Sequence, residues 1–225
     1  MNVSPSTGLN SQSGCGVAEK HCDTVCIIAP IHQFDDVRVF RKEGMTIAEM
    51  GFNVILYAKT STPGLHSGID VRSVPSATSF IKRLVRPFKL WYIVCGINAC
   101  VYHLHNPDTL PLLILLKLSG KTVIYDTHED FSRRILIRNW IPALFRRPIA
   151  FLVASTERLS GILADAVIVT QPGLVSRLGR KALLLENAPI ASEDVLAKAY
   201  QLSLQITRET KVFQCVYAGI VSNHR

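Results

Sequence analysis

Two short apolar runs, Val101 to Leu104 and Thr122 to Tyr125, constrain this chain more than any other feature, because each ends in a cluster of titratable side chains. His103, His105, Asn106 and Asp108 belong to the first cluster; Asp126, His128, Glu129 and Asp130 follow the second run. An apolar segment from Leu110 to Leu118 separates them, with the length of a crossover helix. Strands buried on both faces are apolar throughout, and in open parallel sheets the functional residues sit just beyond their carboxyl ends. If the two runs are parallel strands, both clusters fall on one sheet edge although some 20 residues part them in sequence.

The rest of the chain repeats this strand and helix alternation. Met1 to Asp23 is rich in Ser, Gly and Asn and reads as a flexible leader. Thr24 to Ala29 is a first strand ending at Pro30, and Asp35 or Asp36 then caps a helix in which Val39, Ile47 and Met50 repeat before Gly51. Asn53 to Ala58 and Ile69 to Val74 are further strands, with a turn-rich loop at Thr60 to Gly68 between them. Helices are expected over Phe80 to Ile93, with Pro87 arguing against a long regular one, and over Ile149 to Leu163. Strands follow at Asp165 to Thr170 and Ala182 to Leu185, then a helix capped by Ser192, then a strand at Val212 to Tyr217 leading to Gly219. The expected fold class is α/β, a Rossmann-like, mostly parallel sheet with helices on both faces. Residues 24–190 form the main domain, and 191–225 a linker helix and the first strand of another. The first turn, PIHQFDD, lacks G-x-G-x-x-G, so the dinucleotide fingerprint is excluded.

At 48% hydrophobic and 19% charged the chain is globular, and its net charge of +8 favours anionic partners. No apolar run reaches the roughly 18–20 residues that span a bilayer, and the start has no secretory pattern, so a cytoplasmic location is expected. The six cysteines are expected as free thiols. Cys22 and Cys26, with His21 beside them, have no second ligand pair at finger spacing, and no metal is expected there. The basic residues Lys82, Arg83, Arg86 and Lys89 recur along one helix opposite Ile81, Leu84, Val85, Phe88 and Trp91, a pattern suited to an anionic membrane. Arg133 and Arg134 open a second basic stretch, Phe131 to Pro148, interleaved with Trp140, Leu144 and Phe145. No recognised nucleic-acid-binding motif accompanies this charge, and no nucleic-acid partner is expected.

HLHNPDTLP followed by IYDTHEDF resembles the amino-terminal domain of bacterial GT-B glycosyltransferases of the large retaining, family-4-like class. HQFDDVRVFRKEGMTIAEMGFNVILYA before these motifs, and DAVIVTQPGLVSRL and LLENAPI after them, extend the likeness over roughly Thr24 to Gly219. The resemblance implies hexosyl transfer from a nucleotide sugar to a cell-surface polysaccharide or lipid-linked acceptor. His128 would be the cleft histidine that contacts the transferred sugar. It further implies substrate contacts from His32, Asp35, Arg38, His105, Asn106, Asp108 and Glu129, with Gly219 near the donor diphosphate. His103 and His105 share one strand face and with Asp108 could bind a metal, yet the family's transfer usually needs none, so neither metal nor cofactor is expected. Family members dock basic and aromatic helices on the inner face of the plasma membrane, and their carboxyl-terminal domain supplies the nucleotide pocket and an E-x7-E motif. That domain is largely absent from this sequence, so the rival expectation is a non-catalytic domain that binds a membrane or partner and relies on a separate donor-binding chain.

Overall fold

The computed structural model describes residues 22–139, 141–188 and 193–209. The expected strand at Val212 to Tyr217, Gly219 and nearly all of the leader lie outside the described residues.

Eight strands form one sheet: β1 (Thr24–Gln33), β2 (Asn53–Lys59), β3 (Gly64–His66), β4 (Ile69–Ser73), β5 (Val101–His105), β6 (Val123–Thr127), β7 (Ala166–Val169) and β8 (Ala182–Leu184). Their spatial order is β3-β4-β2-β1-β5-β6-β7-β8, parallel throughout except that β3 runs antiparallel to β4. The α/β, Rossmann-like expectation is met.

Side-chain alternation along β1 divides the core. Cys26 and Ile28 join the cluster containing Tyr102, Leu104, Tyr125 and the leucines of α3 (Leu110–Leu118), while Val25, Ile27 and Ala29 join Leu56, Val71 and Val39 on the other face. Helices cover both faces: α2 (Phe80–Cys95) and α3 on the first, α1 (Met45–Glu49) and the π-helical segment before it, Val37–Gly44, on the second. The chain moves outward from β1 through β2 to β4, then crosses back to place β5 on the other side of β1. The order of winding therefore reverses between β1 and β5, which opens a crevice at their carboxyl ends.

Several local expectations change. β1 runs past Pro30 to Gln33, because its register with β2 breaks between Ala29 and Gln33 and the missing Pro30 N–H is not needed in the ladder. The expected loop at Thr60 to Gly68 contains half of a hairpin, closed by Ser67 and Gly68, both at positive φ as a tight primed turn requires. After β1, Asp36 rather than Asp35 caps the helix, accepting from the Arg38 and Val39 amides at 2.9 and 3.0 Å. The π-helical winding adds residues per turn, so the spacing that predicts Met50 on the buried face fails; Met50 is exposed, and Val39 is buried. Gly44 lets this segment lie on the sheet, since a Cβ there would be 3.0 Å from Ile69 Cδ1. Pro87 does not end α2, which runs unbroken to Cys95 because Leu90 and Val94 pack on the core and Arg86 is anchored below.

The free-thiol expectation is corrected for two cysteines. Cys22 and Cys100 form a disulfide with Cα atoms 5.4 Å apart, whereas Cys26 and Cys95 are free. The pairing follows from the sheet: Val25 lies opposite Val101, so the residues leading into β1 and β5 arrive side by side.

Candidate active site

The two clusters meet as the alternation of apolar runs implies. β5 and β6 pair in parallel, with Leu104 opposite Tyr125 and His105 opposite Asp126. Four histidines converge there: His32 from the end of β1, His103 and His105 from β5, and His128 just beyond β6. The His105 ring centroid lies 4.6 Å from that of His103, 5.4 Å from His128 and 6.2 Å from His32.

Asp126, fully buried at the end of β6, is the hub of the cluster. Its Oδ2 accepts from Arg38 Nη2 at 2.8 Å, and its Oδ1 lies 3.2 Å from His128 Nδ1. Burial alone would raise its pKa, but contacts from the His103 and His128 rings outweigh this and hold the carboxyl well below the usual range. Arg38 also reaches Glu43 Oε1 at 2.9 Å, and Glu43 Oε2 lies 3.1 Å from His105 Nε2. Burial, reinforced by the neighbouring His103, pushes the His105 pKa down and keeps that ring neutral. His128, with 16% of its side chain exposed, combines a fixed inner nitrogen with access to the crevice.

His32 is held from both sides. Asn106 Nδ2 donates to its Nε2 at 2.7 Å, which leaves the proton on Nδ1, facing Asp36 Oδ2 at 3.0 Å. Asn106 itself has φ 71° and ψ 157°, a conformation that favours glycine and costs about 1–3 kcal/mol elsewhere. The surroundings impose it: the Asn106 amide donates to Asp126 O at 3.1 Å, and its carbonyl accepts from Thr109 Oγ1 at 2.8 Å.

Not every expected residue joins this group. Asp35 is exposed and takes no hydrogen bond or ion pair among the described residues, its place being filled by Asp36. Glu129 pairs with Arg134 at the surface, while Asp130 caps α4 (Phe131–Leu136) and pairs with Arg177 at 2.7 Å. Asp108 lies beside the crevice and pairs with Arg86. That pairing corrects the reading of Arg86 as membrane-facing: it is only 7% exposed, with Nη1 also donating to Pro30 O at 3.3 Å. Lys82, Arg83, Lys89 and Arg133 are exposed, and Arg134 is partly so.

Next to Arg86 and Asp108 the carboxyl ends of β1, β2 and β4 border a cavity of about 550 Å³, with Lys59, Thr60, Ser73 and Arg83 on its walls. A second, apolar cavity of about 390 Å³ separates α3 from α5 (Ala143–Leu163). Sequence reasoning missed Glu43, which carries no motif and arrives on the π-helical segment, and Lys59, a strand-end lysine with no signal beyond its position.

No protein-family model and no curated protein matches the sequence. Among solved structures, a glycosyltransferase (UGT2) of Phytolacca americana, in complex with UDP-2-fluoro-glucose and pterostilbene, superposes with a TM-score of 0.53 at 11% identity, over 80% of this chain and 57% of that one. A sucrose-phosphate synthase chain from Thermosynechococcus elongatus (TM-score 0.49, 14% identity, 82% of this chain and 98% of that one) and MurG from Acinetobacter baumannii (0.46, 11%, 76% and 47%) superpose less well. The chain thus spans little more than half the length of the UGT2 structure. Its described residues have the fold of part of a GT-B glycosyltransferase.

Proposed function

We propose that this chain is the acceptor-side half of a retaining glycosyltransferase, in which a hexosyl group passes from a nucleotide sugar to a lipid-linked or polysaccharide acceptor. The observation that carries the reading is His128. Its Nδ1 lies 3.2 Å from the buried Asp126 and its Nε2 3.4 Å from His105 Nδ1, and 16% of the side chain is exposed at the carboxyl ends of β5 and β6. With Nδ1 beside the carboxylate, Nε2 can donate a hydrogen bond to a sugar hydroxyl or phosphate oxygen by exchanging its long contact with His105. The acceptor hydroxyl would lie along the same edge, where Lys59 and Arg83 border the larger cavity and suit an anionic group. Since no helix of the described residues is long and apolar enough to cross a membrane, a lipid-linked acceptor would be met at the surface. The exposed Ile81, Leu84, Phe88 and Tyr92 of α2, flanked by Lys82, Arg83 and Lys89, support docking on an anionic inner leaflet.

The test is hexose transfer from a panel of labelled nucleotide sugars to lipid-linked and oligosaccharide acceptors with a donor-binding domain supplied as a second chain, alongside NMR of the His128 ring as acceptors are added to this chain alone. Transfer that falls about 100-fold or more in His128→Ala, with a ring shift on acceptor binding, is expected. Absence of both transfer and ring shift overturns the reading. If anionic vesicles still bind, the non-catalytic membrane-binding role replaces it.

A further inference from the structure

On the buried side of the histidine cluster, beneath His128, four groups from three elements converge. Glu43, His103, His105 and Asp126 each turn one ligand-type atom toward a common point, and these four atoms all lie within 4.8 Å of one another. His103 is 5% exposed, and His105 and Asp126 are fully buried. His105 Nε2 is 3.1 Å from Glu43 Oε2, and His103 Nε2 is 3.6 Å from Asp126 Oδ2. Yet His103 Nε2, His105 Nε2 and both Glu43 oxygens lack an aligned hydrogen bond. Buried polar atoms in this state are costly, and several aimed at one point call for a shared partner.

We propose that Glu43, His103, His105 and Asp126 form a closed, structural site for a zinc-class divalent cation, tying β5 and β6 to the π-helical segment. Ligand atoms about 2.0–2.2 Å from a tetrahedral ion stand about 3.3–3.6 Å apart, a spacing that the His105–Glu43 and His103–Asp126 pairs already approach at 3.1 and 3.6 Å, while the widest pair, within 4.8 Å, closes by side-chain rotation of up to about 1.5 Å. Two imidazoles and two carboxylates favour a borderline cation over magnesium or calcium, which take oxygen ligands in larger number. Arg38 does not fill the site. It donates to Asp126 Oδ2 through Nη2 at 2.8 Å and stands 2.9 Å from Glu43 Oε1 through Nε without an aligned hydrogen bond, and so borders both carboxylates as an outer partner of the ligands. The two carboxylates carry one negative charge more than Arg38 cancels, so the pocket attracts a cation. All four positions come from the protein, so the ion has no open position for chemistry and serves to fix the strand ends under His128.

Zinc is titrated into the chelator-stripped full chain against a chromophoric chelator, with magnesium as the comparison ion. One zinc per chain and a raised melting temperature are expected, with magnesium doing neither. Glu43→Gln, which keeps shape and removes charge, should weaken zinc by about 10–100-fold or more, and His103→Asn likewise. The proposal is independent of enzymatic activity and of how the variants fold, because cobalt in the unaltered chain gives a second readout. Visible bands of a nitrogen and oxygen shell without thiolate charge transfer support it. Thiolate bands, unchanged zinc affinity in a folded Glu43→Gln variant, or no zinc binding by the folded chain each overturn it.

Discussion

Replacing Arg86 by methionine separates two descriptions of α2 that differ sharply in energy. The Arg86 side chain is 8% exposed and its partner Asp108 is 31% exposed. Removing one member of a fully buried ion pair costs about 3–5 kcal/mol, and the partial exposure of Asp108 lowers this to roughly 2–3 kcal/mol. The lost hydrogen bond to Pro30 O adds about 1 kcal/mol, while the methionine stem keeps most of the apolar packing. A total near 3 kcal/mol corresponds, for a chain of this size, to a melting temperature lower by about 6–12 °C. Arg83→Met, on the exposed face of the same helix, should stay within about 0.5 kcal/mol of the parent. Thermal unfolding by circular dichroism of Arg86→Met, Asp108→Asn and the double variant closes a cycle, and a coupling of about 2 kcal/mol is expected. Vesicle binding should move the other way, with Arg83→Met losing affinity by up to about 1 kcal/mol and Arg86→Met unchanged. Arg86→Met melting with the parent, or losing vesicle affinity as Arg83→Met does, would refute the buried-pair account.

Two further perturbations test packing and charge away from the crevice. Burial pushes the Glu157 carboxyl up to about 7 against the pull of Arg177, so the folded protein holds its proton to higher pH than the unfolded chain, where the group titrates near 4.5. Stability contributed by the protonated form is then lost as pH rises from about 4.5 to 7, by about 3 kcal/mol in all. The depressed His105 contributes with the opposite sign in this window and is common to both proteins, so the urea midpoint of the parent should fall relative to that of Glu157→Gln as pH rises; equal slopes would sink the assignment. Gly161 in α5 faces the Leu178 carbonyl of α6 (Pro172–Leu178) so closely that an added Cβ would lie 2.3 Å from the oxygen. Gly161→Ala should therefore cost about 1–3 kcal/mol net, since backbone must move and the helix-propensity gain is at most about 1 kcal/mol, and a variant as stable as the parent in urea would contradict the contact.

The central geometry was legible because it depends on short-range patterns. Apolar runs ending at Leu104 and Tyr125 could be recognised as parallel neighbours, and the chemistry at their tips follows from that pairing. What escaped depends on partners far apart in sequence. Glu43 reaches His105 on a π-helical segment whose irregular winding no helical spacing predicts. Arg86 looks like one member of a basic stripe, and only its partner across 22 residues, Asp108, turns it inward. The Cys22 to Cys100 bridge likewise depends on sheet register, which brings together residues 78 apart.

That bridge sits at the rim where β1 and β5 begin, and along β5 Cys100 is three residues from His103 and five from His105, about 10 and 17 Å by strand length. A closed loop of this size restrains the unfolded chain by about 4 kcal/mol, so reductants act on how long the molecule survives. Cys100 leads directly into the strand of His103 and His105, so thiol additives act on the footing of the histidine cluster as well as on shelf life. Storage and assay buffers should accordingly hold the same redox state.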